Sequence, residues 1–99
     1  MRQITVDRLA AQTSPLVVDV SGADEFAEGH VPGALNLHPS RLADRFDEMP
    51  HGVAVHLISR DGSRSARATA ALVAHGIDAV DVVGGTTAWI EAGLPLSRS

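Results

Sequence analysis

The chain has 99 residues, of which 44% are hydrophobic and 20% are charged. This length and composition are typical of one globular domain with a single core. The formal net charge of -4 argues against a nucleic-acid-binding surface. No apolar run approaches the roughly 18 residues of a membrane span. Because residues 1–7 also lack the apolar stretch of a signal peptide, the expected location is the cytoplasm.

The residue types present limit the chemistry further. The chain contains no cysteine, which excludes disulfides, thiolate metal sites and a cysteine nucleophile. The histidines show no HExxH or similar ligand spacing, so we expect neither a metal nor a cofactor. All eight basic residues are arginine, and Arg60, Arg64 and Arg67 fall close together. Positive charge is therefore concentrated in one segment of an acidic chain.

The predicted elements alternate between helices and strands along the chain. Apolar runs such as residues 16–20 are typical of strands buried on both faces, and glycine or proline marks most element ends. In chain order the predictions are a helix over residues 5–12, a strand over 16–20, a helix over 23–28, a strand over 34–37, a helix over 39–48, a strand over 53–58, a helix over 63–75, a strand over 79–83 and a helix over 86–92. This alternation predicts an α/β fold, with a parallel sheet flanked by helices on both faces, in one domain over residues 1–99.

One predicted loop has the features of an anion-binding site. Residues 59–65 read S-R-D-G-S-R-S and lead from an apolar strand into an Ala-rich helix. The backbone N–H groups of such a loop, together with the positive end of the helix dipole, collect around one point. Ligands of parallel α/β sheets lie at the carboxyl ends of the strands. Ser59 therefore stands where a nucleophile would be expected.

Three blocks of sequence carry a family resemblance. Residues 18–20 (V-D-V) and 24–34 (D-E-F-A-E-G-H-V-P-G-A) are similar to a strand-end aspartate followed by E-(F/Y)-x-x-G-H-(I/V)-x-G-A. Residues 59–65 resemble the active-site loop C-R-x-G-x-R-S, and residues 83–95 resemble the closing block G-G-x-x-x-W-x-x-x-G-x-P. In this order and at this spacing, the blocks resemble a single-domain rhodanese of the sulfurtransferase-like family from Thr5 to Pro95.

The resemblance implies a rhodanese-like fold and sulfane sulfur transfer through a cysteine at position 59. That cysteine would take sulfur from a small anionic donor such as thiosulfate, and the persulfide would pass to a thiol or cyanide acceptor. The loop has six residues from Ser59 to Arg64, a length that goes with sulfur transfer rather than with the related phosphatases. The residues carried over are Ser59 at the nucleophile position, Arg60, Asp61, Gly62, Ser63, Arg64 and Ser65 for anion binding, and Asp19 and His30 as supporting residues.

Two positions depart from the family pattern. Ser59 replaces the cysteine, and Ser21 stands where the first motif commonly reads D-x-R. A serine hydroxyl needs an adjacent general base to act as a nucleophile, and the loop supplies none. His30 and His56 are conceivable bases, but their sequence context favours structural roles. Because oxygen cannot carry a transferable sulfane sulfur, the chain as written is predicted to lack sulfurtransferase turnover.

The origin of Ser59 stays open at this point. It is either an engineered Cys-to-Ser replacement in a sulfurtransferase, for which the intact Arg60, Gly62 and Arg64 argue, or the native residue of a non-catalytic module. Such a module would bind an anion or a protein partner at the 59–65 loop, and Ser21 argues for this divergence. The chain also fits a piece of a larger protein, including a membrane-anchored one.

Overall fold

The computed structural model describes residues 1–98, and Ser99, the last residue of the predicted domain, lies outside the described residues. The elements are β1 Gln3–Ile4, α1 Val6–Ala10, β2 Leu16–Asp19, α2 Ala23–Glu28, β3 Leu35–Asn36, α3 Pro39–Leu42, a 3₁₀ helix Ala43–Glu48, β4 Val55–Ile58, α4 Ser63–Ala74, β5 Ala79–Val82 and α5 Gly85–Glu91. Within the described residues, five parallel strands form one sheet in the order β1-β5-β4-β2-β3. The predicted α/β fold with a parallel sheet is confirmed.

Helices cover both faces of this sheet because successive strand residues point to opposite sides. Leu57 of β4 belongs to an apolar cluster with Leu72 of α4. The next residue, Ile58, belongs to a second cluster with Leu9 of α1 and Trp89 of α5. All four residues of β4 are buried, and three of them are apolar, because helices pack on both sides of this strand. β4 is the central strand of the sheet.

Two elements differ from the predictions. β1 was not predicted, because it has only two residues and its pairing with β5 leaves no periodic apolar pattern in the sequence. The helix predicted over residues 39–48 divides into α3 and a 3₁₀ helix. Pro50 disfavours a helical conformation of Met49, which is extended here. The last turns therefore tighten into the three-residue hydrogen-bond pattern that is common at helix ends.

The N-terminus of α5 holds the start of the loop that follows β4. Thr86 N–H donates to the carbonyl of Ser59 at 2.9 Å, and Thr87 N–H donates to the carbonyl of Arg60 at 3.0 Å. The first N–H groups of a helix have no acceptor within the helix, and here the loop carbonyls supply one. In a trans peptide unit the N–H points opposite to the C=O. The N–H groups of Arg60 and Asp61 therefore face away from α5.

Gly85 allows this close approach, and we predict that Gly85→Ala lowers the free energy of unfolding by about 3 kcal/mol or more. A Cβ atom at position 85 would lie 2.0 Å from the carbonyl oxygen of Ser59 and 2.7 Å from that of Arg60. The backbone φ of +60° at Gly85 adds strain for any other residue. Urea denaturation measures the loss.

Gly76→Ala is the matched control for this prediction. Gly76 also has a positive φ, of 79°, but a Cβ atom there would meet no atom within 4 Å. We expect Gly76→Ala to lower the free energy of unfolding by about 1 kcal/mol, which is the cost of the left-handed backbone conformation alone. Equal losses in the two variants would contradict the assigned contact between α5 and the loop.

Candidate active-site loop

Ser59 lies at the carboxyl end of β4 and is fully buried. Its Oγ accepts a hydrogen bond from the backbone N–H of Ser65, in the first turn of α4, at 3.0 Å. Within residues 1–98, this is the hydrogen bond made by that oxygen, and no histidine or carboxylate contacts it as a base. The positive end of a helix stabilises negative charge. The position is therefore suited to an ionised side chain, although serine stays neutral there.

The loop beside Ser59 carries backbone N–H groups that are free to bind a ligand. Among residues 1–98, the N–H groups of Arg60, Asp61, Gly62 and Arg64 make no hydrogen bond to another residue, although that of Asp61 also faces its own carboxylate. Gly62 precedes α4 with φ of +96°, a left-handed conformation that glycine adopts readily. Successive amides in such a turn form a concave anion-binding surface. We call these four amides the amide cradle.

Ser65 and Asp81 support the cradle from the core. The hydroxyl of Ser65 donates to Oδ1 of Asp81 at 2.7 Å, and both residues are buried. Asp81 pairs with Leu57 in the sheet register, and its side chain therefore faces α4. Sequence reasoning missed Asp81, although a carboxylate in an otherwise apolar strand was the available signal. Ser65, predicted to bind an anion, uses its side chain for this core contact and its N–H for Ser59.

Both loop arginines form ion pairs with carboxylates of α2. Arg64 donates from Nη1 to Oε1 of Glu25 at 2.7 Å and from Nη2 to Oε2 at 3.0 Å. Arg60 donates from Nη2 to Oε1 of Glu28 at 3.0 Å, and its Nε lies 3.8 Å from Oε2 of Glu25. The sequence motif contains both glutamates, but their role as partners of the loop was missed. The arginines predicted to hold an anion are thus already paired.

These contacts shift the ionisation of the groups around the loop. The hydrogen bonds from Arg64 and from the N–H of Gly22 lower the pKa of Glu25 to about 2, and the bond to Glu25 raises the pKa of Arg64. Asp61 accepts from the N–H of Ser63 at 2.9 Å and from its hydroxyl at 2.7 Å, and these bonds lower the pKa of Asp61. The first-turn N–H of Ser63 is therefore occupied by a carboxylate of the chain itself.

Asp19 lies at the carboxyl end of β2, beside β4, and is almost completely buried. Its Oδ1 accepts from both the N–H and the hydroxyl of Ser21. Its Oδ2 has no hydrogen-bond partner among residues 1–98. Ser21 thus binds one oxygen of this buried carboxylate, and the other oxygen has no partner among residues 1–98.

The two histidines considered as bases make structural contacts. Nδ1 of His30 lies 2.7 Å from the carbonyl oxygen of Phe26, and the His30 ring stacks on Phe26 with centroids 3.6 Å apart. Nδ1 of His56 lies 2.9 Å from the carbonyl oxygen of Leu16. A carbonyl only accepts, so Nδ1 carries the proton in both rings. Neither ring is hydrogen-bonded to Ser59.

Two further observations concern ligands and membranes. Within residues 1–98, no group of three or more histidine, aspartate and glutamate side chains is arranged to hold a metal ion. Over the same part of the chain, no helix is long and apolar enough to cross a bilayer.

The Glu25–Arg64 pair gives a prediction about stability and pH. Glu25→Gln should lower the free energy of unfolding by about 1 kcal/mol near neutral pH, because solvent screens a side chain that is one-third exposed. Folding lowers the pKa of Glu25 from 4.5 to about 2. The contribution is therefore complete above the unfolded pKa and disappears as the pH falls through the folded pKa.

Urea denaturation of both proteins across the acidic range measures this difference. Asp24→Asn removes an exposed carboxylate from the same helix, one that has no ion pair among the described residues, and serves as the control. A Glu25→Gln deficit that stays constant down to the lowest pH would contradict the assigned ion pair.

Comparison with known proteins places the chain in a family. The family model described as "Rhodanese-like domain" matches residues 4–92. A sulfurtransferase from Allochromatium vinosum is 37% identical over 90 residues, which are 90% of this chain and 84% of that protein. The chloroplastic thiosulfate sulfurtransferase 16 of Arabidopsis thaliana is 35% identical over 91 residues, which are 79% and 76% of the two chains. A rhodanese-related protein from Thermoplasma volcanium, with 29% identity, superposes over the whole of both chains with a TM-score of 0.94. The chain therefore belongs to the rhodanese-like domain family.

Proposed function

We propose that this chain is a sulfurtransferase-type rhodanese domain whose nucleophile position is held by Ser59, so that it does not transfer sulfur as written. The observation that carries the proposal is the placement of Ser59, buried at the end of β4 with its Oγ on the first turn of α4. The amides of Arg60 and Gly62, which make no hydrogen bond among residues 1–98, follow it in the loop. These features support an anion-stabilising loop that lacks only the sulfur atom.

A thiolate at this position would be favoured by its surroundings. The N-terminus of α4 and the cradle amides stabilise negative charge, which lowers the pKa of a thiol. The thiolate would attack the sulfane sulfur of thiosulfate and form a new S–S bond. The S–S bond of thiosulfate would break, and sulfite would leave with the electron pair. Cyanide or a thiol would then take the outer sulfur and regenerate the thiolate.

Ser59 lacks both properties that this reaction needs. Its hydroxyl has no general base among residues 1–98 and stays protonated at neutral pH. A persulfide forms only on sulfur, so even an ionised oxygen would give no sulfane carrier. The thiosulfate-type donor, a thiol acceptor and a cytoplasmic location are proposals of the same kind. The donor proposal draws support from the thiosulfate sulfurtransferase of Arabidopsis thaliana.

Ser59→Cys tests the proposal by restoring the sulfur atom. We predict thiosulfate:cyanide sulfurtransferase activity in this variant and none in the parent, measured as thiocyanate formation. Ser63→Cys is the control, because it puts a thiol on the exposed first residue of α4. Its activity should be at least about a hundredfold lower, since misplaced groups lose that much rate. A folded Ser59→Cys protein no faster than Ser63→Cys would contradict the proposal.

A second candidate function is a non-catalytic module that binds an anion or a protein partner at the 59–65 loop. The loop favours it in one respect: serine is close in size to cysteine, and the four cradle amides make no hydrogen bond to another residue among residues 1–98. It predicts that sulfate, phosphate or thiosulfate shifts the NMR amide signals of Gly62 and Arg64, and that Arg64→Ala abolishes the shift. Unchanged signals in both proteins would exclude small anions as the ligand.

A further inference from the structure

The charges around the amide cradle do not favour a strongly anionic ligand. Arg60 and Arg64 supply the positive charge, but Glu25 and Glu28 pair with them and Asp61 binds the first turn of α4. Three carboxylates thus surround two guanidinium groups. Any anion entering the cradle meets arginines whose charge is already balanced.

Of the carboxylates around the loop, Glu25 makes the most contacts with the loop arginines. Both of its oxygens bind the guanidinium of Arg64, at 2.7 and 3.0 Å, and one lies 3.8 Å from Arg60. The two-point geometry fixes the guanidinium more firmly than a single contact would. Because the paired carboxyl has a pKa of about 2, it remains charged throughout the neutral range. An incoming anion must share Arg64 with a permanent negative charge.

We propose that Glu25 is a specificity-determining residue that makes the 59–65 loop discriminate against doubly charged sulfur donors and favour singly charged sulfane donors. The inference rests on the proposed function, since it names the donor class of the same loop. Repulsion from the Glu25 carboxylate scales with the charge of the donor. Thiosulfate, with two negative charges, is therefore penalised more than a thiosulfonate or a persulfide, with one.

A matched pair of donors isolates this effect. Thiosulfate and methanethiosulfonate carry the same reactive group, a sulfane sulfur bonded to an oxidised sulfur, but differ by one charge. In each case the thiolate introduced by Ser59→Cys forms a bond to the sulfane sulfur as the donor's S–S bond breaks. Sulfite leaves from thiosulfate, and methanesulfinate leaves from methanethiosulfonate, each with the electron pair. The reaction is otherwise the same, so their rate ratio reports charge selection.

The test compares kcat/KM for the two donors in Ser59→Cys and in Ser59→Cys with Glu25→Gln. Glutamine keeps an oxygen that can accept from the N–H of Gly22, now 3.2 Å from Oε1 of Glu25. It loses the charge, and its NH2 group replaces Oε2, the acceptor for Nη2 of Arg64. We expect the ratio of thiosulfate to methanethiosulfonate activity to rise about fivefold, with the gain shrinking as salt increases. Asp24→Asn, the equal charge change without an arginine contact, should leave the ratio unchanged.

The outcomes separate a structural role from charge selection. An equal gain or an equal loss for both donors, or the same ratio change in Asp24→Asn, would overturn the proposal. A ratio change that is insensitive to salt would also overturn it, because a packing effect is not screened.

A second measurement keeps the inference testable if Ser59→Cys transfers no sulfur, the result that would refute the proposed function. In the parent chain with Ser59, Glu25→Gln should tighten sulfate binding about fivefold relative to Asp24→Asn, followed through the amide signals of Gly62 and Arg64. Equal sulfate binding by the two variants, or no binding by either, would refute the inference independently.

Discussion

The contact between the N-terminus of α5 and the carbonyls of Ser59 and Arg60 is the constraint on which the rest of the loop depends. Two hydrogen bonds and the missing side chain of Gly85 bring these backbones together. With the carbonyls fixed on one side, the following N–H groups turn to the other side. The sheet places this loop at the end of its central strand, and α5 determines which polar groups it presents.

The cradle therefore does not depend on the side chain at position 59. Its amides are oriented by backbone contacts, and the hydrogen bond from Ser65 to Asp81 attaches α4 to the core. A serine fits the same place as a cysteine and keeps the hydrogen bond from Ser65 N–H. The proposed function depends on this separation, since it requires the loop backbone to keep its shape with either serine or cysteine at position 59.

The parts that sequence could predict are those set by local pattern. The apolar runs of β2 and β4 and the glycine that precedes α4 identify the sheet, the strand-to-helix loop and the position of Ser59. The pairing of Arg64 with Glu25 could not be predicted, because it joins residues 39 positions apart and depends on how α2 packs beside α4. β1 was missed because two residues are too few to show a hydrophobic periodicity. The role of Asp81 was missed because its hydrogen-bond partner, Ser65, belongs to another element, α4.

The proposed function requires that the loop lack only a sulfur atom at position 59. Mass spectrometry of folded Ser59→Cys protein after treatment with thiosulfate can detect this, because it observes the persulfide itself without an acceptor. We predict a mass gain of one sulfur atom, located at position 59 and removed by cyanide. A folded variant that gains no mass, or gains it without release to cyanide, would rule out sulfur transfer at this position.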